Sequence, residues 1–264
     1  MLPKALTQEI EVRLKEAGPK PFAVFDFDNT CIVNDVAEAT LAYLCDRELL
    51  HDRYLLGEEE GPNYHERVFL TYHALLKEGK IDAAYKLNGR MFSGFTPGEA
   101  EAATLAAILE EGSRIGSKML YGLHVERGLA RRPIVLSLMQ YVRERGVRVW
   151  IVSASPELCV RAAMKHFGIE GELIGVRSSL KDGVFTEVIE EPRPVIEGKV
   201  KCMRKFIDAT RNPLLVADDS PTGLPLLETA KIKVVVDRDN ELAALARLSD
   251  EASAKSGERG WFLL

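Results

Sequence analysis

The sequence contains no apolar run approaching the ~20 residues needed to cross a bilayer. Its first stretch, MLPKALTQEIEVRLKEAGPK, scatters charge where a secretory leader needs an apolar centre. Cysteine is scarce: Cys31, Cys45, Cys159 and Cys202 lie far apart and form no CxxC pair, which excludes a zinc clip or a redox motif. Free buried thiols in a reducing cytoplasm are the expectation. The 5 histidines share no ligand spacing. Gly-x-Ser-x-Gly, His-Glu-x-x-His and Walker signatures are all missing; ahead of Gly198-Lys199 the Walker glycine is Arg193. Net positive charge is missing too. With 35 Lys and Arg against 40 Asp and Glu, the formal charge is −5, so nothing draws the whole chain to nucleic acid or an anionic membrane. Arg143, Arg145 and Arg148 lack interleaved aromatics and read as a solvated helix face.

What remains is an ordinary globular composition, 264 residues and 46% hydrophobic, long enough for a large domain or a core with an insert. Short apolar runs recur at 22–25, 147–152, 172–176, 213–217 and 232–236. Helically spaced stretches separate most of them, and that alternation predicts an α/β fold, a parallel sheet with helices on its faces. Over 177–188, Asp182-Gly183 between β-prone runs predicts a hairpin. About a hundred residues separate the first two strands, far more than an ordinary crossover. Val36, Leu41 and Leu44 keep helical spacing there, as do Leu105, Ile108 and Leu109, and Thr96-Pro97-Gly98-Glu99 reads as a capping box. Residues 34–132 therefore read as a helical subdomain inserted into a core of 1–33 and 133–264. It carries Tyr43, Tyr54, Tyr64, Tyr72, Tyr85 and Tyr121. Residues 250–260 read as a polar tail.

The chemistry begins in AVFDFDNTCIVND. Four apolar residues deliver Asp26 and Asp28 to the carboxyl end of a strand, where open α/β sheets place their sites. Alternation puts both carboxylates on one side, with Phe27 opposite. Two such groups repel unless a cation lies between them, and Mg²⁺ meets that need with oxygen ligands. The competing readings are a solvated turn and a calcium loop; the loop fails because position six is Cys31 and position twelve is Ala37. Later, a strand run ends in Ser153, and Ser155-Pro156 reads as an N-cap with a first-turn proline, making Ser153 and the neighbouring Ala154 amide an anion-ready site. Lys199 opens a helical run as a point charge for phosphate, or lies on a solvated face. Asp218 and Asp219 end another apolar strand, or form a turn.

In this order the segments resemble the haloacid dehalogenase superfamily of phosphotransferases. DFDNT matches the first motif, Ser153 the second, Lys199 the third and ADDS the fourth. The middle stretch resembles the phosphoserine-phosphatase-like branch, which implies a Rossmann-like doubly wound core with an inserted helical cap. It further implies an Mg²⁺-dependent phosphomonoester hydrolase: Asp26 as nucleophile, Asp28 as acid and base, and Ser153, Ala154 and Lys199 on the phosphate. The metal would take Asp26, Asp219 and the Asp28 carbonyl. The family's fourth motif carries Gly where this chain has Asp218, and Asp where it has Gly223, so Asp218 is expected to stand in as the missing carboxylate of the metal site. Asp35 occupies the position of an ammonium-binding acid, which implies a small amine-bearing phosphomonoester as partner; as a plain residue it reads equally as a helix cap. The rival is a catalytically silent binding protein that keeps the fold, favoured by Gly223.

Overall fold

The computed structural model describes the backbone of residues 1–57, 61–256 and 260–264, and their side chains except over 250–256. Helix α1 (Lys4–Glu16) leads into β1 (Phe22–Phe25) and the short β2 (Ile32–Val33). Then come α2 (Val36–Asp46), α3 (Tyr64–Lys77), α4 (Ile81–Gly89), α5 (Pro97–Glu111), and the strands β3 (Gly116–Leu120), β4 (Leu123–Arg127) and β5 (Ala130–Arg131). The chain continues through α6 (Pro133–Arg143), β6 (Arg148–Pro156), α7 (Glu157–Phe167), β7 (Glu172–Val176), β8 (Ser178–Lys181), β9 (Val184–Ile189) and α8 (Glu197–Phe206). It closes with β10 (Leu215–Asp218), α9 (Leu224–Leu227), β11 (Ile232–Val235), α10 (Glu241–Ser256) and β12 (Trp261–Leu263).

Six parallel strands form the central sheet in the order β12-β11-β10-β1-β6-β7. Each strand is a near-continuous apolar run because helices cover both faces. Alternate residues serve different cores. Ala23, Phe25, Val149, Ile151, Leu215 and Ala217 face α1, α6, α7 and the helices of the 34–132 stretch. Phe22, Val24, Trp150, Val152 and Val216 face α8, α9 and α10. From β1 the chain winds toward β7, then returns to the other side as β10. That reversal makes the β1/β10 edge the crevice of a doubly wound sheet.

Local signals place several elements as expected. Thr96 Oγ1 accepts the Glu99 amide at 3.3 Å while Glu99 accepts the Thr96 amide at 2.8 Å, the reciprocal box that starts α5. Asp182 and Gly183 both take positive φ (53° and 82°), the two-residue turn that matches the twist of β8 and β9. Differences also appear. The 34–132 stretch is not helical throughout, since β3 and β4 pair as an antiparallel hairpin. Leu109 lies on the solvent side of α5, 69% exposed, while Ile108 packs inward. The tail expected over 250–260 is helical as far as Ser256; residues 257–259 lie outside the described residues.

Candidate active site

Strands β1 and β10 run side by side and end together, with the Asp26 amide donating to the Ala217 carbonyl at 2.8 Å. Beyond β1 the chain turns sharply. Asn29 adopts positive φ, its side chain accepts the Asn34 amide, and Cys31 and Ile32 donate to the Phe27 carbonyl. Phe27 is fully buried in the core. This turn points Asp26 and Asp28 across the crevice and brings Thr30 to Asp219, whose Oδ1 accepts the Thr30 hydroxyl at 2.8 Å.

Lys199, 2% exposed, comes from the first turn of α8. Its ammonium lies 2.8 Å from Asp218 Oδ2 and 3.0 Å from Asp26 Oδ1. Burial opposes that charge, but Asp218 and Asp26 overturn the opposition and hold the ammonium above its ordinary range. Asp26 is itself pushed well above the usual carboxylate range, chiefly by burial, against the pull of Lys199. Asp219 rises to about 6 through burial and the neighbouring Asp218.

Asp28 is held differently. Its Oδ1 accepts the Val36 amide at 2.8 Å, and its Oδ2 accepts the hydroxyls of Ser155 at 2.7 Å and Ser153 at 3.3 Å. Burial and the charge of Asp35 push its carboxyl up to about 8, so it carries a proton at neutral pH. The expectation for Ser155 therefore fails. Strand β6 runs past a register shift to Pro156, α7 starts at Glu157 without a side-chain cap, and Ser155 serves Asp28. A two-residue Ser-Pro signal reads as a cap only when the strand has already ended; here the bulge carries the strand through it. Ser153 also accepts the Ser155 amide at 3.1 Å, and Ala154 sits between them, half-buried in the bulge.

Asp26, Asp218 and Asp219 each offer an oxygen, all within 4.8 Å of one another. Buried hard oxygen donors with more negative than positive charge fit Mg²⁺. The three are not equivalent. Asp218 Oδ1 accepts the amides of Asp219 and Ser220 and Oδ2 accepts Lys199, so its oxygens are already engaged. At Gly223 an added Cβ would lie 2.0 Å from the Asp218 carboxyl carbon, so the Asp218 carboxylate occupies the space a side chain at 223 would need. Asp35 Oδ1 accepts the amides of Ala37 and Glu38, capping α2, and burial with the Glu38 charge takes its carboxyl to about 7. Residues the sequence reading passed over also converge here. Arg238 joins Asp219 (3.3 Å) to Glu126 on β4 (3.1 Å), and Asn240 donates to the Asp219 carbonyl at 2.7 Å. Their one sequence signal is their position just past an apolar strand run.

Residues 23–228 match the haloacid dehalogenase-like hydrolase family. The chain is 26% identical over 245 residues to a phosphorylcholine phosphatase of Pseudomonas aeruginosa, covering 78% of this chain and 70% of that one. Its fold superposes on a conserved protein of unknown function from Anaerococcus prevotii with a TM-score of 0.68, 19% identity and coverage of 94% and 88%. It also superposes on a substrate-bound phosphoserine phosphatase with a TM-score of 0.52, 15% identity and coverage of 83% and 87%. The chain belongs to the haloacid dehalogenase-like hydrolases. Within that family it is an enzyme of the phosphatase branch, a phosphoric monoester hydrolase.

Proposed function

We propose that the protein hydrolyses a small, amine-bearing phosphomonoester through an aspartyl-phosphate on Asp26, with Mg²⁺ as cofactor. The observation that carries this reading is the pairing of two differently held carboxyls: Asp26 under the Lys199 ammonium, and Asp28 kept protonated against Ser155. A nucleophilic carboxyl drawn toward its charged form by a buried cation, beside a protonated acid, is the division of labour that phosphoryl transfer needs. Lys199 holds one oxygen of Asp26, and the other, with no partner among the described residues, is the one to attack phosphorus. As the ester bond breaks, Asp28 gives its proton to the leaving alkoxide; its carboxylate, steadied by Ser155, Ser153 and the Val36 amide, then takes a proton from the water that cleaves the aspartyl-phosphate. Ser153, Lys199 and the amides of the β6 bulge, Ala154 among them, line the place of the phosphoryl oxygens. Asp26 and Asp219, with the Asp28 backbone carbonyl, would hold the metal, which when bound spreads the developing negative charge.

The alternative of a silent protein drew its support from Gly223; the Asp218 carboxylate filling that space favours the enzyme instead. Acidic Asp35 and Glu38 ahead of the site favour a cationic ester, as does the phosphorylcholine phosphatase relative. We assign the 34–132 stretch to specificity and the compartment to the cytoplasm. Metal-stripped protein offered a panel of phosphorylated aminoalcohols and amino acids, with and without added Mg²⁺, tests the reading. Turnover that returns only with Mg²⁺ is expected. Full turnover in excess chelator would remove the metal, and no turnover of any ester would remove the function.

A further inference from the structure

One guanidinium joins Asp219 to the inserted stretch. Arg238 lies in the turn between β11 and α10, and its two terminal nitrogens serve different partners. Nη1 is 3.3 Å from Asp219 Oδ2, and Nη2 is 3.1 Å from Glu126 Oε1 on β4. The turn is fixed at the core. Asn240 donates to the Asp219 carbonyl at 2.7 Å and accepts the Ala243 amide at 3.0 Å, which pins the start of α10 to the end of β10. The other oxygen of Asp219 takes the Thr30 hydroxyl at 2.8 Å.

The far partner belongs to a hairpin that is otherwise fastened within its own stretch. The Tyr121 hydroxyl donates to the Cys45 carbonyl at 2.8 Å, and the Gly128 amide donates to Glu111 at 2.8 Å. The Asn34 carboxamide donates to the carbonyls of Arg127 and Gly128 at 3.1 and 2.9 Å, and Lys118 pairs with Glu111. All of these partners lie within 34–132. Among the hydrogen bonds and ion pairs of the described residues, Arg238–Glu126 is the one that ties the β3–β4 hairpin to the core.

A cation resting on a metal-binding carboxylate has a defined effect. An acidic or carbonyl partner makes a ligand a better donor, whereas a cation withdraws charge from it and repels the metal. Glu126 offsets that repulsion by drawing the guanidinium to its own side. Such a pair in open solvent is worth little. Here the fork is shared with Asp219, which is 4% exposed, and burial strengthens its electrostatics.

We infer that Arg238 is a positioning residue that couples the acidic cluster to the inserted stretch. A divalent cation and the guanidinium compete for the Asp219 carboxylate, and Glu126 takes up the guanidinium as the cation binds. Metal loading and seating of the β3–β4 hairpin then favour each other, as linkage requires. The inference rests on the metal-dependent reading above and extends it to how the inserted stretch is held at the site.

The test needs no turnover. Calorimetry measures Mg²⁺ binding to metal-stripped wild type, Glu126→Gln, Arg238→Met and the double variant, and hydrogen exchange over 116–127 is followed with and without Mg²⁺. Glu126 and Arg238 are 51% and 33% exposed, so the variants should fold. Glu126→Gln should weaken Mg²⁺ binding roughly 5-fold or more, the size of a modest coupling between sites. Arg238→Met should bind Mg²⁺ more tightly than wild type, and adding Glu126→Gln to it should change nothing further, to within about twofold. In wild type, Mg²⁺ should slow exchange across the hairpin; in either single variant it should not. Arg238→Lys keeps the charge but lacks the fork that spans two carboxylates, so it too should lose the slowing. Weakening by Glu126→Gln that persists in the Arg238→Met background is a through-space effect of the Glu126 charge and overturns the inference. Weaker Mg²⁺ binding by Arg238→Met overturns it as well, as does wild-type exchange indifferent to Mg²⁺. Any of these alongside Mg²⁺-dependent turnover leaves the phosphatase standing. The expected pattern in a protein that hydrolyses no ester keeps the coupling and removes the hydrolase.

Discussion

Positions 218 and 223 should behave as one site. Gly223 sits in a short 3₁₀ turn (Pro221–Gly223) with φ −85°, a conformation open to any residue, so glycine is there for space and not for backbone freedom. Asp218 fills that space from the neighbouring strand end. Asp218→Gly takes one of two carboxylates from the buried Lys199 ammonium. Breaking a buried pair costs about 3–5 kcal/mol, and because Asp26 stays at 3.0 Å the lower end applies, about 3 kcal/mol. Gly223→Asp alone drives a Cβ to 2.0 Å from the Asp218 carboxyl carbon. Overpacking costs about 1–3 kcal/mol, and the second buried carboxylate adds repulsion, so a similar total is expected. In a chain of this size each single change should lower the melting temperature by roughly 6–12 °C. The double variant moves the carboxylate from one backbone position to the other and should recover most of the loss, a favourable coupling of at least about 2 kcal/mol. Urea unfolding of the four proteins measures the coupling, and Mg²⁺ activation curves show whether Lys199 is again held on Asp26. If the double variant is no more stable than the sum of the two losses predicts, to within about 0.5 kcal/mol, position 218 does not substitute for position 223 and the reasoning fails.

Asp26→Asn should abolish turnover and any acid-stable phosphoenzyme; a phosphorylated peptide elsewhere in the digest would reassign the nucleophile. Asp28→Asn should slow an alkyl ester by roughly 10²–10⁴-fold and nitrophenyl phosphate far less, because only the alkoxide needs a proton; equal losses would count against the acid. With Asp28 near 8, the rate on an alkyl ester should fall as pH climbs past that value. Ser155→Ala removes a donor that favours the charged form, so this limb should move to higher pH, and a shift to lower pH would refute the assignment. The raised carboxyls also set stability: Asp28 near 8 and Asp35 and Glu38 near 7 keep protons in the fold that the unfolded chain releases near pH 4. Metal-free protein should therefore lose stability as pH rises from about 4 to about 8, and a melting temperature flat or rising across that window would contradict the burial of these groups.

The sequence alone carried the periodic and the covalent. The apolar runs of β1, β7 and β11 are legible because a strand covered on both faces has no polar residue to spare, and the α5 box and the 182–183 turn are legible because their signals lie within four residues. DFDNT, Lys199 and Asp218-Asp219 could be picked out for the same reason: each motif is contiguous. What the sequence left undecided depends on which strand ends lie together. Ser155 looks like a helix cap until the β6 bulge turns its hydroxyl to Asp28, 127 residues away along the chain. Asp35 and Glu38 are two acids on one helix, and only the fold shows that the first accepts the amides that start α2 while the second accepts the hydroxyl of Tyr72 from α3. Gly223 reads as a lost ligand in sequence. In the fold its missing side chain is the space that Asp218 fills, because the turn after β10 folds position 223 back onto the strand end and one volume admits a single carboxylate.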